Sequence, residues 1–265
     1  VFVDSQPDTW NMDPDKIRAK ITKRTKAILP VHIYGHPCDM SAIMKIASRY
    51  NLCVIEDAAE SHGAEYKGKK VGGIGHIGCF SFYGNKIITS GAGGMIVTDH
   101  EDWARRARHL TTQAKCDPIE YRHDSVGFNY RLSNLHAAVG VAQMEFLPRY
   151  VDAKRQIADC YETRLADVPW VRLMREARWA TSTFWMYTLL VEGDSRPLLR
   201  KLTGSGIQAR PLWTPINLNS PYADCQAYAC EVAPTLFRQA LSLPCSVGLK
   251  PEQQEFVIRK LREGP

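Results

Sequence analysis

The 265-residue sequence predicts an α/β protein, with a mostly parallel sheet in a large first domain and a smaller α/β domain behind it. Three observations carry that expectation. From residue 1 to about 115, short β-branched runs alternate with amphipathic helical runs. LCVIEDAAE is a nearly uninterrupted apolar run ending in acid, as expected of a parallel strand buried on both faces. From about residue 168 the chain supplies its own strands and helices, enough for a small lobe.

VFVD reads as the first strand. DPDKIRAKIT reads as a short helix, with Asp13 as its cap and Pro14 at its first position. AILPVHIYG follows as strand and loop. Asp39 then caps DMSAIMKIASRYN, where Met40, Ile43, Met44 and the pair Ile46 and Ala47 recur at helical spacing. LCVIEDAAE, HIGCFSFYG and GGMIVTD supply three more strands, and DWARRARHLTT a further helix. Helical periodicity from RLSNLHAAVG to CYETRLAD runs beyond the usual length, so Pro148 is expected to divide it into two pieces. That break sets the domain boundary, with residues 1–148 as the large domain and 149–265 as bridging helix plus small domain. In the latter, STFWMYTLLVEG and IQARPLW read as strands, and RPLLRKLTGSG and EQQEFVIRKLRE as helices. The tryptophans Trp170, Trp179 and Trp185 read as packing of this second lobe.

Composition excludes several functions. At 45% hydrophobic and 23% charged residues the chain is not of disordered type. The formal charge of +6 is scattered, and Arg105, Arg106 and Arg108 read as one solvated helix face, so no nucleic-acid partner is expected. The eight cysteines show no CxxC or zinc-like spacing, and several sit in apolar runs, which points to free thiols in a reducing cytoplasm and to no metal. No stretch is apolar for long enough to span a bilayer.

The chemistry concentrates around Lys86. In open α/β sheets, ligands bind beyond the carboxyl ends of the strands. Asp57 ends one strand and Lys86 follows another, so opposite charges converge on one crevice. Lys86 is then either an ordinary loop lysine, paired with Asp57 at the rim, or a Schiff-base lysine whose pocket favours the neutral amine. Pyridoxal phosphate (PLP) chemistry needs such a lysine and an acid against the pyridine nitrogen, a role open to Asp57. Ser81 lies where a hydroxyl could meet a phosphate. Gly91, Gly93 and Gly94 allow close backbone approach or form a plain turn.

The blocks EDAAESHGAEYKGKKVGGIGHIGCFSFYGNKIITSGAGGMIVTD and VGFNYRLSNLHAAVGVAQMEFL resemble the DegT/DnrJ/EryC1/StrS family of PLP-dependent nucleotide-sugar aminotransferases. The resemblance implies the PLP-dependent transferase fold of the aspartate aminotransferase type. It implies that Lys86 carries the cofactor and moves the proton, that Asp57 faces the pyridine nitrogen, and that Ala59 lies against the ring face. Glu60 is implied near the ring hydroxyl, Ser81 at the phosphate, and Asn129 at the phosphate of a neighbouring subunit, hence a homodimer with shared sites. Sugar dehydratases of the family replace the lysine with histidine, so Lys86 implies amino transfer, from glutamate to a keto sugar.

TTQAKCDPIEYRHDSVGFNYRLSN, IQARPLWTPIN and SLPCSVGL most resemble the branch that aminates C4 of UDP-linked 4-keto-6-deoxy-N-acetylhexosamines. There Arg210, Trp213 and Asn217 are implied near the substrate, with Arg210 matched to a diphosphate or carboxylate. His32 and His62 are further candidates for acid or base work. The resemblance also implies related chains that begin about a hundred residues earlier and include a phosphate-binding helix N-terminus. Two other readings stay open: a non-catalytic or regulatory relative of the same fold, and a nucleotide-binding oxidoreductase. The second requires a GxGxxG that opens a helix, whereas GGIGHIG and GAGGM flank strands.

Overall fold

The computed structural model describes residues 1–264. The first half contains β1 (Phe2–Val3), α1 (Pro14–Ile17), β2 (Ala27–Ile28), α2 (Met40–Tyr50), β3 (Cys53–Asp57), β4 (Glu65–Tyr66), β5 (Lys69–Lys70), β6 (Ile77–Ser81), β7 (Gly94–Val97) and α3 (Glu101–Thr111). Two helices follow, α4 (Asn134–Glu145) and α5 (Leu147–Leu165). The second half adds β8 (Val171–Leu173), β9 (Ala180–Thr181), β10 (Tyr187–Val191), α6 (Arg196–Gly204), β11 (Arg210–Pro211), β12 (Ala227–Tyr228), α7 (Val232–Gln239), β13 (Ala240–Leu243) and α8 (Pro251–Arg262). No helix among the described residues is long and apolar enough to cross a membrane.

The large sheet has the order β2-β3-β6-β7. β2, β3 and β6 run parallel, and β7 closes the edge antiparallel, with Ser81 opposite Gly94. α2 forms where its sequence predicts it: the Asp39 side chain accepts from the Ala42 N–H, and Asn51 ends the helix in the left-handed region. Its buried face consists of Met40, Ile43, Ile46 and Ala47, and it packs with Ile28 and Val54 into one core. Pro148 lies in the first turn of α5, where a missing N–H costs nothing, so it separates α4 from α5 as expected.

The small sheet is antiparallel, in the order β11-β13-β10-β8. Its core is formed by Leu189, Leu190, Leu241 and Leu243 with Leu198, Leu202, Val257 and Leu261, and Tyr34 and Ile87 of the first half join it. β13 lies inside this sheet although the sequence reading placed no strand there. The stretch is short and its apolar run is broken by Ser242, whose hydroxyl is satisfied only across the sheet, by Thr188 at 2.7 Å.

Two further expectations change. β1 is a strand, but it pairs in parallel with β12 of the second half rather than joining the large sheet. β3 is not buried on both faces: Val54 and Glu56 are fully buried, while Cys53, Ile55 and Asp57 are half-buried. The two halves are also stitched by β4 with β9, and by Asp4, whose carboxylate accepts from the backbone N–H groups of Glu231, Val232 and Ala233 at the start of α7.

Candidate active site

β3 and β6 are adjacent and parallel, with Asp57 opposite Cys79. Their carboxyl ends therefore bring Asp57 and Ser81 to one end of the sheet. The loop after β6 folds back on itself. Ser90 N–H and the Thr89 hydroxyl both donate to the Phe82 carbonyl, at 3.0 and 2.9 Å, and Lys86 N–H donates to the Tyr83 carbonyl at 3.0 Å. Ile87 and Ile88 are buried, which anchors the loop and leaves Lys86 half-buried at the rim. Gly93 is needed at its position because its φ is +92°, a backbone conformation that residues with a side chain rarely adopt.

The Lys86 ammonium does not form the rim ion pair that one reading of the sequence allowed. Its Nζ lies 4.3 Å from the centroid of the Trp185 ring. Burial lowers its basicity, opposed by the carboxylates of Glu60 and Asp57 acting through space. Glu60 is buried, and its Oε2 accepts from the Tyr34 N–H at 2.8 Å. Burial pushes its carboxyl up to about 7, helped by the nearby Asp57 and resisted by the Tyr34 bond and Lys86. Asp57 is half-buried, with Oδ1 accepting from Ala59 N–H at 3.1 Å. Ala58 is fully buried beside it and Ala59 half-buried. The Ser81 hydroxyl accepts from Tyr83 N–H at 3.3 Å, which leaves its proton free to donate.

His62 is buried between the rings of Phe80 and Phe82, at 5.3 and 5.7 Å between centroids, and neither ring nitrogen has a partner. Burial and the Lys86 charge hold it down to about 4, so the ring is neutral. His32 requires a correction. It is fully buried; its Nδ1 accepts from Cys38 N–H at 3.0 Å and its Nε2 donates to Glu56 Oε2 at 2.9 Å. With both nitrogens engaged inside the fold, His32 supports the sheet and does not reach a substrate. Its partner Glu56 also accepts from the N–H groups of Gly72, Ile74 and Gly75. Burial works to raise the Glu56 carboxyl, but these bonds outweigh it and keep the group below the usual carboxylate range.

From the second half, Trp213 stacks within reach of the cluster, 5.2 Å from Tyr34 and 5.9 Å from Trp185 between centroids. It remains half exposed. Arg210 is exposed in β11 opposite Ser242, Asn217 lies in a 3-10 turn at Ile216–Leu218, and Asn129 is exposed in a loop bridged to Thr112. Among the described residues, none of these three side chains hydrogen-bonds to the cluster around Lys86. Sequence reasoning missed Trp185 and Tyr34 as neighbours of that cluster. Apolar context read Trp185 as core, and the turn that aims it, with Phe184 at φ 45°, leaves no mark in the hydrophobic pattern.

The donor set fits PLP: an amine whose basicity burial lowers, a carboxylate at the adjacent strand end, small residues for a flat ring and a hydroxyl free to donate. The DegT/DnrJ/EryC1/StrS aminotransferase family matches residues 1–262. The GDP-perosamine synthase of Caulobacter vibrioides is 42% identical over 98% of this chain and 72% of its own length. The dTDP-3-amino-3,4,6-trideoxy-alpha-D-glucose transaminase of Streptomyces venezuelae is 34% identical over 99% and 70%. Among solved structures, the aminotransferase TlmJ from Streptoalloteichus hindustanus superposes with a TM-score of 0.94 at 28% identity, covering 99% of this chain and 72% of that one. DesV of S. venezuelae does so at 0.91 and 33%, covering 98% and 71%.

Proposed function

The chain belongs to the DegT/DnrJ/EryC1/StrS aminotransferase family, whose cofactor is PLP, and from that premise we propose that it moves an amino group from glutamate to the keto carbon of a nucleotide-linked deoxy sugar in amino-sugar biosynthesis. The observation that carries this reading is the half-buried Lys86, of lowered basicity, beside two carboxylates at the carboxyl end of a parallel sheet. When bound, PLP supplies a carbonyl for the amine and a pyridinium ring that accepts an electron pair. Asp57 would keep the pyridine nitrogen protonated. Ser81 and the backbone of its loop would hold the phosphate, Ala59 would support the ring and Glu60 would serve the ring hydroxyl. Lys86 takes a proton from the donor carbon and returns one to the acceptor carbon, which requires its neutral form at working pH.

For the acceptor we propose the C4 keto carbon of a UDP-linked 4-keto-6-deoxy-N-acetylhexosamine, with Trp213 stacking on the substrate and Arg210 and Asn217 closing on its polar groups. The GDP and dTDP sugars in the relatives' names are the competing acceptors. The enzyme works in the cytoplasm, where nucleotide sugars are made, as the eight free cysteines support. A second copy of the chain completes each site through Asn129. Exposed apolar side chains in the loop around that residue and along α4 support this, with Tyr121 85%, Val126 83%, Leu135 82% and Val141 65% exposed, and with no residue of α4 buried.

Adding PLP, reducing with borohydride and mapping peptides should place the adduct on Lys86 and abolish it in Lys86→Ala. Glutamate should then bleach the bound cofactor's visible band, and one of the UDP, GDP or dTDP keto sugars should restore it. An adduct on other lysines only, or the same adduct in the variant, would sink the proposal.

A further inference from the structure

We propose that Trp185 is the positioning residue for Lys86: its indole, fixed from the second half of the chain, is the surface on which the end of the lysine side chain rests. The inference builds on Lys86 as the cofactor-bearing amine, and it names the group that holds that amine in place.

The indole touches the lysine loop twice. Its face lies under Lys86 Nζ, 4.3 Å from the ring centroid. Its Nε1–H donates to the carbonyl of Asn85, the preceding residue, at 2.7 Å. Both contacts reach across the two halves of the chain, and the rest of the loop is held by its own turns, by Ile87 and Ile88, and by Gln143 Oε1 of α4, which accepts from Thr89 N–H at 3.4 Å.

The tryptophan is itself fixed on every side. It is 4% exposed. Its carbonyl accepts from the buried ammonium of Lys154 on α5 at 2.8 Å and from the Cys245 thiol at 3.5 Å. Tyr34 and Trp213 pack against its ring, at 6.3 and 5.9 Å. A lysine stem has several rotatable bonds, so an amine that must return a proton to one place gains from a rigid rest. An aromatic face provides it by attracting the cation without a counter-ion that would pin the proton. The other groups acting on Lys86 are the carboxylates of Glu60 and Asp57, and its charge acts in turn on His62. All three stay unchanged in the test.

Among the described residues, Lys86 over Trp185 is the only contact between a cation and a tryptophan ring. Substituting fluorinated tryptophans throughout the protein therefore weakens the ring's negative face at this lysine alone, with almost no change of shape. The readout is the pH dependence of reductive methylation at each lysine in the PLP-free protein, followed by peptide mass spectrometry. The midpoint for Lys86 should move to lower pH as fluorine is added, by roughly half a pH unit at full substitution, while other lysines stay put. Trp185→Leu should reproduce the shift and Trp185→Phe should recover part of it. An unmoved Lys86 midpoint across the fluorinated series would overturn the inference, even where the leucine variant fails to fold. This readout does not use the cofactor, so a protein that never forms a PLP adduct would refute the proposed function and still leave the role of Trp185 to be judged.

Discussion

Replacing Glu60 by glutamine should make the protein more stable at neutral and alkaline pH although the residue stands in the candidate active site. Glu60 is 9% exposed, and burial pushes its carboxyl from the usual 4.5 to about 7. A carboxyl raised on folding contributes stability that is fully present below the unfolded value and is lost as pH rises through the folded value. At about 1.4 kcal/mol per pH unit, the gap between 4.5 and about 7 puts that loss at about 3 kcal/mol. Glutamine carries no charge, keeps an oxygen for the Tyr34 N–H and does not titrate. Urea unfolding of both proteins from pH 4 to pH 8, at matched m-values, isolates the effect as a difference. The two stabilities should lie close together near pH 4 and separate between about pH 4.5 and 7, with glutamine ahead by about 3 kcal/mol at pH 8. Curves that stay parallel throughout would refute a buried, proton-holding Glu60.

Two further substitutions test the scaffold below the site. Glu56→Gln turns an amide NH2 toward two donors whichever way it points, because Oε1 accepts from Ile74 and Gly75 and Oε2 from His32 and Gly72. It should cost about 3 to 5 kcal/mol in urea unfolding, and a cost below about 1 kcal/mol would contradict the buried geometry. Asp4→Asn should cost about 2 kcal/mol by weakening the cap on α7 and the tie between the two halves. Although burial works to raise it, the backbone bonds from Val232, Ala233, Ser5 and Glu231 pull the Asp4 carboxyl down to about 2. Its contribution is therefore complete above about pH 4 and lost as pH falls through about 2, and acid unfolding should show the two proteins converging there.

Local chemistry was legible in the chain before folding. Asp39 as a cap, Pro148 as a divider, and the order of a strand ending at Asp57 followed by a strand leading to Lys86 depend on neighbours a few residues away, and the structure reproduces them. The motif around Lys86 was readable for the same reason: strand ends of a parallel sheet must meet at one edge. Contacts between distant segments were not readable, because hydrophobic periodicity records that a residue is buried but not against what. Trp185 reads as core in its own strand and lies under Lys86 only because Phe184 turns the chain. His32 reads as a candidate acid or base until Glu56 and Cys38 take both nitrogens. The protonation of Glu60 is likewise a property of the assembled cavity, since desolvation comes from atoms far along the chain. Sequence placed the reacting groups in order; tertiary burial decided which of them are charged and what holds them.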